Sequence, residues 1–128
     1  MKKNLKNAKF QTANGGKVAV ITGTSSGIGF ETALAFARDG YYTYATMRDT
    51  SKGDKIKETS QKENLKIEVL ELDVDKEDSV KIAIKQILDQ KQRIDVLVNN
   101  AGWGLWGCVE DVSIDEFKAQ FETNFFAI

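Results

Sequence analysis

The chain has 128 residues, about one domain's worth, with 41% hydrophobic and 29% charged side chains. That balance excludes wholesale disorder, and no apolar run approaches the roughly 20 residues of a membrane span. A net charge of −1 gives no overall case for nucleic acid or a membrane surface. Histidine is absent, which excludes His-based acid–base chemistry. With one cysteine, Cys108, there is no internal disulfide and no zinc set. A lone thiol fits a reducing cytoplasm.

The charge is uneven. Lys2, Lys3, Lys6, Lys9 and Lys17 fall in the first 17 residues with no acid among them. Residues 1–16 have no hydrophobic period and end in Asn14-Gly15-Gly16. They read as a flexible basic tail, a solvated arm rather than a polyanion-binding one. Residues 17–128 read as the folded part.

Lys17 to Thr22 reads as a strand, and the apolar run Val18-Ala19-Val20-Ile21 fits a central strand buried on both faces. Gly23, Gly27 and Gly29 follow at the spacing G-x-x-x-G-x-G, with the hydroxyls of Thr24, Ser25 and Ser26 lining the same turn. Glycines let a ligand approach the backbone, and the free N–H groups of the next helix attract an anion such as a pyrophosphate. No Lys follows the last glycine, so this is not a GxxxxGK[ST] loop.

Ile28 to Arg38 reads as a helix with a small-residue face from Ile28, Ala33, Ala35 and Phe36, stopped by Gly40. Tyr42 to Met47 is a second strand. A polar stretch, Asp49 to Gly53, leads to a charged helix from Asp54 to Glu63. Lys66 to Leu72 is a third strand. Asp75 to Lys91 is a helix with Asp75 as N-cap and Val80, Ile84, Ile87 and Leu88 as the buried stripe. Ile94 to Val98 is a fourth strand. The loop from Asn99 to Val112 carries Trp103, Leu105 and Trp106, either walls of an apolar substrate pocket or plugs between loop and helix. Cys108 reads as a small buried apolar residue. Ser113 and Glu116 form a capping box, so a last helix begins near Ile114. Phe117, Phe121 and Phe125 recur along it as core or interface.

Strand and helix in alternation mean an α/β fold with a parallel sheet and right-handed crossovers, and the expected strand order is 3-2-1-4. Its ligand belongs at the switch point between strands 1 and 4.

The motifs TGTSSGIG at 22–29, Asp73-Val74 ending strand 3, NNAG at 99–102, and Asn124 in the last helix together resemble the short-chain dehydrogenase/reductase family. The match runs from Lys17 to the last residue. More loosely, residues 102–127 look like the subgroup that includes steroid and retinol dehydrogenases. The resemblance implies a Rossmann-type doubly wound sheet, cut before its fifth strand. It further implies NADP or NAD held by Gly23, Ser25, Ser26, Gly27, Ile28 and Gly29. Asp73, with Val74, sits at a strand tip where a carboxylate can accept the adenine amino group. Asn99 and Asn100 can tie strands together while Ala101 and Gly102 let the ribose approach. Arg48 lies just past strand 2, where arginine accommodates a 2′-phosphate and an acid takes the ribose 2′-OH. That favours NADP over NAD, although Asp49 stands close to the position of a ribose acid by counting.

In the family, the asparagine matching Asn124 belongs to a catalytic tetrad. The family's Tyr-x-x-x-Lys pair is missing: Tyr41, Tyr42 and Tyr44 have no lysine four residues on. The chain therefore reads as the N-terminal half of a longer cytoplasmic enzyme acting on an apolar alcohol or ketone, homo-oligomeric when whole. Residues 1–128 alone are expected to be inactive. The other reading is a nucleotide-binding module with no chemistry.

Overall fold

The computed structural model describes residues 16–128, so the tail expected over 1–16 lies outside the described residues apart from Gly16. Strands and helices alternate as β1 (Val18–Ile21), α1 (Gly27–Arg38), β2 (Tyr42–Met47), α2 (Asp54–Glu63), β3 (Ile67–Glu71), α3 (Glu77–Lys91), β4 (Val96–Val98) and α4 (Ile114–Phe121). The four strands form one parallel sheet in the order β3-β2-β1-β4. Ala19 lies between Thr43 of β2 and Val96 of β4. β1 is central because it is apolar on both faces, and all four of its residues are buried.

The helices cover the sheet on both sides. Val18, Val20, Tyr44, Leu70 and Leu72 pack with Ala83 and Ile87 of α3. Ala45 and Met47 pack with Phe30, Ala33 and Leu34 of α1 and Ile56 of α2 on the opposite face. Each fully buried large aliphatic side chain contributes about 1.5–3 kcal/mol. Tyr44 is fully buried but donates its hydroxyl to Gln90 Oε1 at 2.7 Å, so its burial strands no polar atom.

Several expected details differ. The buried face of α1 is Gly29, Phe30, Ala33, Leu34 and Ala37, while Ile28 and Ala35 are exposed. That face follows the i, i+3, i+4 spacing of a helix on a sheet. α3 starts at Glu77 with Lys76 at the N-cap, not at Asp75. Asp75 lies instead in a turn, where its N–H donates to Asp73 Oδ1 at 3.2 Å. Leu88 is 42% exposed, outside the buried stripe. β4 begins at Val96; just before it the Asp95 carboxylate accepts the Val18 N–H at 2.7 Å while the Asp95 N–H donates to Val18 O at 2.9 Å.

Beyond β4 the differences grow. Cys108 is exposed rather than buried. The capping box forms as read, with Ser113 and Glu116 bonded reciprocally. α4 then widens into a π-helical turn over Glu122–Phe126. Phe117, Phe121 and Phe125 stack along this segment at centroid distances of 5.1 and 6.4 Å, yet all three remain exposed.

Candidate functional site

A cleft of about 380 Å³ opens at the carboxyl ends of β1, β2 and β4, with Leu72 and Val74 after β3 completing one side. This is the switch point, where chain connections leave the sheet in opposite directions and so leave a crevice. Gly23, Ser25, Ser26, Ile28 and Gly29 line it from β1 and α1, and Asn100, Ala101 and Gly102 from β4. Arg48 lines it from β2.

The glycine turn is set by close backbone contact. At Gly29 a Cβ would stand 2.3 Å from Gly23 O and 2.4 Å from Asn100 Nδ2, closer than real carbon atoms come. Gly23 has φ +69° and would place a Cβ 2.7 Å from Ala101 Cα. These two positions accept no side chain. Asn100 then staples the turn, donating from Nδ2 to Thr22 O at 2.9 Å and Gly23 O at 3.1 Å. Thr22 answers from β1. Its Oγ1 accepts the N–H groups of Asn100 at 3.0 Å and Ala101 at 2.9 Å. Of the three turn hydroxyls, Thr24 faces inward, fully buried and donating to Thr46 O at 3.1 Å. Ser25 and Ser26 are left facing the cleft.

The residues present suit a dinucleotide. No side chain caps α1, and no acid stands in its first turn. The amides and positive dipole end of that helix are thus presented to an anion. Gly27 opens the helix with nothing within 4 Å of where a Cβ would sit. Arg48 makes no hydrogen bond or ion pair among the described residues and is exposed at the cleft. Its neighbour Asp49 is otherwise engaged. Its Oδ1 accepts from Ser51 Oγ at 2.6 Å and Ser51 N at 3.0 Å, and these bonds hold its carboxyl below the usual carboxylate range.

Not every expected residue reaches the lining. Asp73 stands just behind it, its carboxylate bonded to Asp75 N and 3.3 Å from Lys76 Nζ, while Val74 and Asp75 face the cleft. Asn124 clasps the backbone of Trp103 from both sides: Oδ1 accepts Trp103 N–H at 3.0 Å and Nδ2 donates to Trp103 O at 2.8 Å. Sequence reading missed Thr22, Asp75 and Thr123. A buried polar contact between distant segments leaves no periodicity to find; only the place of Thr22 in the motif and of Thr123 beside Asn124 marked them. Tyr42 and Tyr44, read as lacking a lysine partner, lie off the cleft, and burial pushes both phenols above their ordinary range. Among the described residues no cluster of three or more metal-ligating side chains occurs. No described helix is long and apolar enough to cross a membrane.

Known proteins share this arrangement. The chain is 37% identical over 114 residues to the uncharacterized oxidoreductase YusZ of Bacillus subtilis (strain 168), covering 88% of this chain and 40% of that protein. Retinol dehydrogenase 8 of Homo sapiens is 40% identical over 115 residues, covering 86% of this chain and 36% of that protein. Among solved structures, an alcohol dehydrogenase from the archaeon Thermococcus sibiricus, complexed with 5-hydroxy-NADP, superposes with a TM-score of 0.80 at 39% identity. That match covers 87% of this chain and 48% of the archaeal one. The chain thus spans less than half the length of these relatives. The family model for short chain dehydrogenases matches residues 17–128, and the chain belongs to that family.

Proposed function

We propose that the protein carrying this chain is an NADP(H)-dependent oxidoreductase that moves a hydride between the nicotinamide and an apolar alcohol or carbonyl compound. Residues 17–128 are its cofactor-binding N-terminal part. When bound, NADP(H) supplies or accepts the hydride. The α1 amides with Ser25 and Ser26 hold the pyrophosphate. Gly23, Gly27, Ile28 and Gly29 give it room. Val74 and Asp73 would hold the adenine, and Asn100, Ala101 and Gly102 would border the ribose. Asn124, held against Trp103, belongs to the catalytic end. The proton that hydride chemistry requires is assigned to a group outside these residues, since the family's Tyr-x-x-x-Lys pair does not occur among them.

One observation carries the cofactor choice: among the described residues Arg48 faces the cleft without a hydrogen-bond or ion-pair partner while Asp49 is committed to Ser51. An arginine there meets a 2′-phosphate, whereas a ribose 2′-OH needs an acid. The NADP analogue in the Thermococcus sibiricus structure supports the same choice. Location in the cytoplasm and self-association of the whole protein belong to this reading too. Titration of the full-length protein with NADPH and NADH tests it. NADPH is expected to bind more tightly, and Arg48→Asp to reverse the order by removing a contact of about 1.5–3 kcal/mol. Equal affinity for the two nucleotides in the wild type would overturn the Arg48 assignment, and binding of NADH alone would transfer it to Asp49.

A further inference from the structure

We propose that Thr123 is a positioning residue whose hydroxyl locks the Trp103 indole, and through Trp103 the Asn124 amide, at the rim of the cleft. What the rim serves rests on the cofactor reading above; the network itself does not. Residues 99–128 contain a single buried residue, and it is Thr123, at 8% exposure. A buried threonine in so open a segment has to be explained by its bonds, because little apolar surface is buried around it. Its Oγ1 accepts the Trp103 indole N–H at 3.1 Å and lies 2.9 Å from Asp75 Oδ2. The carbonyl of Ala119, at 3.4 Å, is the competing acceptor. The shorter distance and the charged acceptor assign the hydroxyl proton to Asp75.

The link joins three separate elements: the loop after β3, the loop after β4, and α4. Two neighbouring residues of the π-helical turn over Glu122–Phe126 share one partner: Thr123 takes the side chain of Trp103, and Asn124 takes its backbone. Asp75, Trp103 and Thr123 all line the cleft. A ligand there therefore meets an aromatic ring held by one hydroxyl, with the Asn124 amide bonded to the backbone behind that ring.

The test compares Thr123→Val, which keeps the shape and removes both bonds, with Thr123→Ser, which keeps the hydroxyl. Both are made in the full-length protein labelled with ¹⁵N-tryptophan, the Trp103 indole signal being assigned by its loss in Trp103→Phe. Thr123→Val is expected to speed exchange of the Trp103 indole proton by about tenfold and weaken NADPH by about fivefold, with Thr123→Ser within about twofold of wild type in both. A purely structural role would lower thermal stability and move neither readout at 25 °C. Unchanged exchange and NADPH affinity in Thr123→Val would overturn the proposal, as would equal damage by Ser and Val. Should Thr123→Val fail to fold, Asp75→Ala, at an exposed position, is expected to raise the exchange rate in the same direction, and no change there would overturn the link. If the parent protein binds neither nucleotide, the cofactor reading fails, and indole exchange alone still decides whether Thr123 holds Trp103.

Discussion

Residues 18–98 and residues 101–128 are held in place by different forces. In the first region, helices lie on a sheet through side chains such as Val20, Leu34, Ile56 and Ile87, each 3% exposed or less. In the second, Trp106, Val109, Ile114 and Phe125 are 64% exposed or more, and the long-range ties include the Ala101 N–H to Thr22 and the hydrogen bonds of Thr123 and Asn124. Apolar burial is non-directional and tolerates small shifts, whereas hydrogen bonds fix angles. The cleft lies where the two regions meet. Its glycine turn belongs to the rigid first region and its Trp103 rim to the tethered second. Substitutions should therefore act globally on one side of the cleft and locally on the other.

The largest contrast is between two glycines. Gly29→Ala drives a carbon into Gly23 O and Asn100 Nδ2, atoms of two packed segments that cannot both retreat. It should cost about 3 kcal/mol, the upper range for overpacking, and abolish nucleotide binding. Gly104→Ala places its carbon 3.3 Å from Trp106 Nε1, the end of a side chain that is 94% exposed and free to turn. It should stay within about 0.5 kcal/mol of wild type. Urea denaturation of both variants measures the difference, and equal losses would erase the distinction between the regions.

Two asparagines repeat the contrast on a smaller scale. Asn100→Ala leaves the carbonyls of Thr22 and Gly23 without their donor in a part-buried site. That should cost about 2 kcal/mol. Asn124→Ala removes an exposed clasp on Trp103 and should change global stability by less than about 0.5 kcal/mol. In the full-length enzyme it should lower turnover more than it weakens NADPH. A large global loss from Asn124→Ala would mean that the rim is part of the core.

The same division governs what could be read in advance. β2 and α2 match the expected bounds because their patterns answer to local propensity and burial, and the strand order follows the doubly wound rule for such a chain. The Gly23-to-Gly29 turn was legible because close backbone approach demands a particular residue type. The misreadings fall where a side chain substitutes for backbone or where burial depends on distant partners. The Asp95 carboxylate takes the Val18 N–H, Asp73 takes the turn where Asp75 was expected to cap, and Thr24 turns inward to Thr46. Beyond β4, composition misleads at Cys108, which is apolar by type and exposed in place.

A smaller effect is expected at the start of α4. Ser113→Ala removes the side-chain half of the capping box, leaving the residue 113 N–H on the Glu116 carboxylate, and should cost about 1 kcal/mol. Because α4 is tethered rather than packed, that loss should appear as faster amide exchange over residues 114–118 with the strands unaffected. Slower or unchanged exchange there, together with a lower global midpoint, would place α4 in the cooperative unit of the sheet.

The smallest effect is a pH dependence at Asp95, a polar tie that lies in the packed region yet touches solvent. The hydrogen bond from Arg93 and then the Val18 N–H hold its carboxyl below the usual carboxylate range. A carboxylate whose pKa is depressed on folding stabilises the folded state above its unfolded pKa of about 3.9 and loses that contribution as the pH falls through the lower folded value. Asp95→Asn keeps an acceptor for Val18 but carries no charge for Arg93. The variant should therefore be less stable than wild type at pH 7, and the gap should close as the pH is lowered from about 4 toward 2. Urea midpoints taken across that range measure it. Adding salt at pH 7 should narrow the gap as well, since both partners reach solvent and exposed charges are screened. A gap that stays constant with pH would show that Asp95 works through its hydrogen bond to Val18 alone. The tie would then resemble the Asn100 staple, a neutral hydrogen bond that holds by geometry and not by charge.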